Sequence, residues 1–342
     1  MTLRSVIEAR PDVEALMVEF LAVTGAPGVL VGLQVANDPP LLLAEGIDDL
    51  NTGDPLMADR VFRIGSVTKP IVAAVTLAAV QEGRLSLDDT LDEFFPGVTN
   101  GQATLAQILA HDAGLSDWDA IPGGIRTLLF SDPNRDWQPE EIVAEVGELP
   151  AYSAPGSGFH YSNPGYQMLG ALLEQVQQAS MASLIERTLI APFDLADTLL
   201  GPPDSTPDKL IHGFGDLGGT LIDNQVLSAV GIDTLFYTTG AGYSDLDDLL
   251  RFCRLYWGSA MTLAPEGVDV AEDRSGNYGF ATQYFSDQVF GHTGDIIGAR
   301  TAAGHHRALD ISVVVHVNTN VIERQPTVDL ALAVIDTLLA QE

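Results

Sequence analysis

The chain has 342 residues, 46% of them hydrophobic, which is enough for one large domain or two interleaved lobes around a substantial buried core. Its formal net charge of −31, with Lys69 and Lys209 as the only lysines, opposes nucleic acid and anionic membranes as partners and resembles the shell of proteins that work in high salt. The longest apolar stretches, residues 28–36 and 311–317, fall far short of the roughly 20 residues that cross a bilayer, so a soluble protein is expected.

The first stretch carries Glu8, Asp12, Glu14 and Glu19 among its apolar positions, which predicts an amphipathic helix rather than the uninterrupted apolar core of a signal peptide. With Met1 as the native start, the expected location is the cytoplasm. GVLVGLQVA and PLLLAEGI then read as a strand pair around the turn-forming NDPP, and VFRIG as a short strand that runs into Ser66, where a helix is expected to begin. Between residues 68 and 200 the segments PIVAAVTLAAVQEG, TLAQILAHDAG, PEEIVAEVGEL, GYQMLGALLEQVQQ and MASLIERTLI place apolar residues three and four apart and predict helices. The Ser244 hydroxyl suits an N-cap before DLDDLLRFCRLYW. Cys253, the single cysteine, falls in that helix; it excludes an internal disulfide, fits a small buried thiol and suits a reducing compartment. In YGFATQYF, QVFGHTG and LDISVVVHVN the pattern changes to period two or to short apolar runs, which predicts strands, and TVDLALAVIDTLLAQ closes with a helix.

No repeat or long linker divides the chain. The expected fold class is α/β in the α+β sense: an antiparallel sheet built from both ends of the chain, flanked by the terminal and active-site helices, with a mainly helical lobe inserted. On this reading residues 1–67 and 230–342 form the sheet lobe and 68–229 the helical lobe, with the active site between them.

In IGSVTKP, Ser66 stands where a strand meets a helix, and Lys69, three residues on, shares its helical face. A serine hydroxyl is a weak nucleophile. An amine held beside it in a partly desolvated cleft has its pKa lowered and can accept the serine proton. A Ser-x-x-Lys match is a poor signal in isolation, since a lysine in the first helical turn also serves as a snorkelling surface residue. Two further groups follow in order: GFHYSNPGY offers Tyr161 and Asn163 in a turn before a helix, and VFGHTGDIIG offers His292, Thr293 and Gly294 at the end of an apolar strand.

The ordered set SVTK, YSN and HTG resembles the serine β-lactamase and penicillin-binding-protein superfamily, on the class C β-lactamase and D-alanyl-D-alanine carboxypeptidase branch. The likeness extends from about residue 28 to 318: residues 62–97, LAHDAGL and APFDLADT look like the family's active-site helix, its His-Thr-Ser-Gly-Leu segment and its Pro-Leu-Gly-Met-x-Asp-Thr segment. The resemblance implies that Ser66 is the nucleophile, Lys69 its proton acceptor and Tyr161 the group that passes a proton to the leaving group, with His292 supporting the Tyr161 hydroxyl. It also implies oxyanion donors at the backbone N–H groups of Ser66 and Asp295. Asn163 is then expected on the acyl carbonyl side and Thr293 and Gly294 along the substrate strand, with His111 structural. No cofactor and no metal is implied; His305, His306 and His316 lack metal-site spacing with a carboxylate.

Departures from the family pattern bear on the substrate. YGFATQYFSD holds Gln283 and Tyr284 where the carboxypeptidases carry an arginine, and Asp295 would repel a substrate carboxylate, although Arg300 could replace the missing cation. A small neutral ester or amide therefore fits best, with Trp118, Phe236 and Tyr237 as apolar walls. The expected function is an esterase-like serine hydrolase. A D-alanyl-D-alanine carboxypeptidase, D-aminopeptidase or β-lactamase is the alternative, and a catalytically silent binding module is the alternative of another class.

Overall fold

The computed structural model describes all residues except 1–2, 202–208, 218–219, 227–228, 259–262 and 341–342. Met1 therefore lies outside the described residues. Eight strands form one antiparallel sheet, in the spatial order Asp54–Pro55, Leu41–Asp49, Gly28–Val35, Ile311–Val317, Ala299–His306, Val289–Ile296, Thr282–Tyr284 and Tyr278–Gly279. The two ends of the chain meet at its centre, where Val29, Val31 and Leu33 lie opposite Val317, Val315 and Val313.

Alternation along these strands separates two cores. Val29, Val31, Leu33, Val35, Val313, Val315 and Val317 face the terminal helices Leu3–Thr24 and Gln325–Leu339. Leu30 and Val314, one residue out of phase, join the larger cluster that also holds Ile71, Val72 and Val75 of the helix Thr68–Gln81. This is the period of two that a pleated sheet imposes when both faces are covered. Among the described residues no helix is long and apolar enough to cross a membrane.

Several local expectations change. The serine is the middle residue of a 3-10 turn, Gly65–Val67, and the α-helix starts at Thr68. Asp245, not Ser244, caps the helix Leu246–Trp257, because its carboxylate accepts the Asp248 N–H at 2.8 Å, whereas the Ser244 hydroxyl is shared with Thr198 Oγ1. Within the segment expected to be mainly helical, Phe214–Leu217 and Thr220–Asp223 form a two-stranded hairpin, and the helix begun at Met181 passes into a π-helical turn at Glu186–Ile190. His305 and His316 are buried in the sheet, bonded across strands to Ser312 Oγ at 3.1 Å and Thr301 Oγ1 at 3.0 Å.

One buried ion pair ties the strand before Ser66 to the helical side. The Arg63 guanidinium contacts Asp233 Oδ1, and the Tyr243 hydroxyl donates to Asp233 Oδ2 at 2.6 Å, with all three side chains buried. Asp233→Ala would leave a guanidinium buried without its counter-charge. It is expected to cost roughly 3–5 kcal/mol in urea denaturation, and a loss below 1 kcal/mol would show that water replaces the carboxylate.

Candidate active site

Ser66 is the one residue between 61 and 70 that is not fully buried, because the turn that carries it is pinned from below. The Thr68 hydroxyl donates to Gly65 O at 2.7 Å and accepts the Gly242 N–H at 2.9 Å. Ile64 N donates back to Gly242 O at 2.9 Å. Gly65 holds φ +53, and a Cβ there would lie 2.7 Å from Asp295 N; a Cβ on Gly294 would lie 1.9 Å from Ile64 O. Both glycines are thus required for the close approach of the strand Val289–Ile296 to the serine turn. Gly294 serves this packing, between Thr293 and Asp295, which line the cleft.

Lys69 is fully buried. Its Nζ lies 2.7 Å from Asn163 Oδ1, 2.9 Å from Thr239 O and 3.2 Å from Ser66 Oγ. Burial is the main force on the amine and lowers its pKa from 10.5 to about 7; the Asp117 carboxylate pulls it back up and Arg324 pushes it further down. Two of the three neighbours, the amide oxygen and the carbonyl, can only accept. In the neutral amine they take both N–H bonds, and the lone pair is left facing the serine hydroxyl.

Asn163 is the first residue of the helix Asn163–Gln177, whose N-cap is Ser162. Its Nδ2 donates to Asp117 Oδ1 at 2.9 Å and its backbone N–H to the same oxygen at 2.9 Å. The carboxamide therefore bridges Asp117 and Lys69 while Asn163 also lines the cleft.

The Tyr161 ring lies 4.9 Å from Lys69 Nζ and lines the cleft with Ser66; burial raises its pKa well above the ordinary phenol value, and the neighbouring Ser66 side chain pulls it part of the way back. His111 orders this segment: its Nδ1 accepts the Ser162 N–H at 3.1 Å, its carbonyl accepts the His160 N–H at 2.8 Å, and its ring lies 4.2 Å from that of Tyr161. His292 departs from its expected role. Its Nδ1 lies 2.7 Å from the Thr293 carbonyl and must donate, so Nε2 accepts from the Tyr278 hydroxyl at 2.9 Å. Burial lowers its pKa to about 3, so the imidazole is neutral, and neither nitrogen is left for Tyr161.

On the strand Val289–Ile296, Thr293 N donates to Gln283 Oε1 at 3.0 Å, on the side away from the strand Ala299–His306. By the two-residue period Asp295 N faces the same way, past the end of the pairing with Thr282–Tyr284, beside the Ser66 turn. The Asp295 carboxylate is not a free charge: it lies 3.0 Å from Arg300 and 3.6 Å from Arg324. Arg300 is thereby consumed and is not the substituted cation. Arg324, just before the last helix, lines the cleft itself.

The resulting cleft of about 330 Å³ is lined by Ser66, Tyr161, Asn163, Thr293, Asp295, Trp118 and Phe236 among others. The rings of Trp118 and Phe236 meet edge to face at 5.0 Å. Tyr237 is not part of this wall, because its hydroxyl donates to Glu174 at 2.5 Å. Its backbone, at φ 30 and ψ −119, breaks the segment Ala229–Gly240 just before the Thr239 carbonyl that receives Lys69. Asp117, Thr239 and Arg324 went unread in the sequence. Asp117 next to Trp118 was the nearest thing to a signal, and a carbonyl in a backbone kink leaves none.

Residues 13–336 match the Beta-lactamase family model. Esterase EstB of Burkholderia gladioli is 33% identical over 184 residues, covering 51% of this chain and 46% of EstB. D-aminopeptidase of Brucella anthropi is 26% identical over 191 residues, covering 56% of this chain and 36% of that protein. The chain thus spans about half or less of the length of these two relatives. The structure of D-amino acid amidase from Ochrobactrum anthropi SV3 complexed with L-phenylalanine amide is similar with a TM-score of 0.81, over 97% of this chain and 98% of that one, at 20% identity, a likeness of fold.

Proposed function

The chain belongs to the Beta-lactamase family, and from that premise we propose that it is a serine hydrolase that cleaves small esters or amides through an acyl-enzyme on Ser66. One observation carries the reading: a fully buried lysine, with pKa lowered to about 7, has both amine hydrogens engaged and its lone pair aimed at Ser66 Oγ, 3.2 Å away. Neutral Lys69 takes the serine proton as Oγ attacks the carbonyl carbon. The N–H groups of Ser66 and Asp295 receive the developing oxyanion. Tyr161, kept as a phenol by its raised pKa, gives its proton to the departing alcohol or amine and is reprotonated from Lys69. Water then attacks the acyl carbon through the same pair in reverse and releases the acid. Because the two groups share one proton relay, their titrations are coupled.

The pH dependence follows from the lysine. Activity requires its neutral form, so kcat/KM should rise about tenfold per pH unit below 7, level off above it, and show no alkaline fall until the tyrosine ionises. An acid limb near pH 4 instead would identify a carboxylate as the base. The direct test is the intact mass after a fluorophosphonate, a penicillin and p-nitrophenyl acetate. A single adduct on Ser66 with ester turnover is expected, and no adduct from any of the three would leave a silent binding module.

A second reading, an amidase for D-amino acid amides, draws on the carboxylates of Asp117 and Asp295 at the cleft: although Asp295 is paired with Arg300 and Arg324, it remains partly exposed there and can also take the ammonium group of a cationic amino-acid amide. Relative kcat/KM for D-phenylalanine amide and p-nitrophenyl acetate separates the two.

A further inference from the structure

A second group of chemistry-bearing side chains lies outside the Ser66 cleft, at the end of the central sheet. Asp49 closes the strand Leu41–Asp49, Asp223 closes the strand Thr220–Asp223, and His212 stands two residues before the strand Phe214–Leu217 that pairs with it. One imidazole nitrogen and one oxygen from each carboxylate lie within 4.8 Å of one another. All three residues are partly buried, and His212 Nδ1 is 2.7 Å from Asp223 Oδ2.

The backbone holds the group in place. Asp49 Oδ1 accepts the Asn51 N–H at 2.7 Å and Asp223 Oδ1 accepts the Gln225 N–H at 2.9 Å, so each carboxylate is oriented by one oxygen. The His212 backbone N–H is fixed on Asp48 Oδ1 at 2.8 Å. Asp48 stands behind the group, with Arg60 3.7 Å away on its other oxygen.

We propose that Asp49, His212 and Asp223 bind a divalent transition-metal ion, Zn²⁺ foremost, that clamps the 214–223 hairpin to the end of the central sheet. Two carboxylates neutralise the ion, and an imidazole donor selects zinc-like ions over Ca²⁺ and Mg²⁺, which prefer all-oxygen shells. On binding, the proton shared by the His212 ring and Asp223 passes to solvent, the metal takes its place between them, and water completes the coordination. The strongly negative surface raises the local concentration of such cations.

The clamp would act on structure rather than on the acyl chemistry. Phe214 N donates to Asn318 O at 2.9 Å, and the Thr319 hydroxyl donates to Phe214 O at 2.5 Å. A Cβ on Gly213 would lie 2.4 Å from Gly298 O, in the turn between the strands that carry Asp295 and Arg300. Firming this hairpin supports the wall behind the oxyanion strand.

The test is calorimetric titration of the chelator-treated full chain with Zn²⁺, alongside His212→Gln and Asp223→Asn, with melting followed in parallel. The expected result is one ion per chain at micromolar affinity or better, a higher Tm with Zn²⁺, and at least a ~10-fold weaker affinity in either variant. Fluorophosphonate labelling of Ser66 without metal should match wild type in both variants, which shows that they fold. Absence of Zn²⁺ binding in wild type, equal binding in the variants, or Ca²⁺ and Mg²⁺ binding as tightly as Zn²⁺ would each overturn the assignment. None of these outcomes bears on the serine hydrolase reading, which the labelling tests separately.

Discussion

Ser66→Ala is expected to lower ester hydrolysis by at least ~10⁴-fold and to abolish fluorophosphonate labelling, while Tm stays within a few degrees of wild type. The reason is geometric. The hydroxyl is the partly exposed tip of a turn whose hold on the protein comes from Gly65, Thr68 and Gly242, none of which the substitution touches. Loss of Oγ removes the attacking atom and leaves the Lys69 amine without its partner in the cleft. Residual turnover from the oxyanion donors and binding would still be measurable above the uncatalysed reaction. Hydrolysis within tenfold of wild type would mean that another group, or water activated by Lys69, attacks the substrate, and the acyl-enzyme reading would fall.

Lys69→Met should slow acylation by about 10³-fold or more, read as the burst rate with a p-nitrophenyl ester, because the base is lost while most of the buried stem volume is kept. Its effect on stability has a defined sign. The folded amine titrates near 7 and the unfolded one at the ordinary 10.5, so between these values the unfolded chain holds the extra proton. Wild-type stability relative to the variant therefore rises with pH across that window, by about 1 kcal/mol per pH unit, and is level below it, where both states are charged. Urea titrations at pH 6, 8 and 10 on both proteins measure the difference directly. A slowed reaction with no such pH-dependent difference would place Lys69 in ordinary solvent contact and remove the basis for its role as base.

The chemistry was legible because it sits in contiguous segments. Ser66 and Lys69 share one helical turn, Tyr161 and Asn163 one loop, and a three-residue spacing can be read without coordinates. The sheet was legible for a similar reason: the near-continuous apolar runs in 28–35 and 311–317 mark strands buried on both faces. Asp117, Thr239 and Arg324 were not, since each reaches the cleft from a segment that carries no local pattern. Tyr237 misled because an aromatic beside Phe236 looks like the same wall, while a backbone break turns it toward Glu174.

The sequence by itself determined that Ser66, Lys69, Tyr161 and Asn163 come together, the antiparallel core from both chain ends and the net negative charge, all of which depend on residue type and short-range spacing. Only the tertiary structure decided the tasks. It assigned Asn163 to Lys69, His292 to Tyr278 and Thr293, Arg300 to Asp295, and the two glycines to the contact between the serine turn and the oxyanion strand. A hydrogen bond is directional and satisfied by whichever partner lies nearest in space, and for Lys69 those partners, Asn163 and Thr239, come from 94 and 170 residues away.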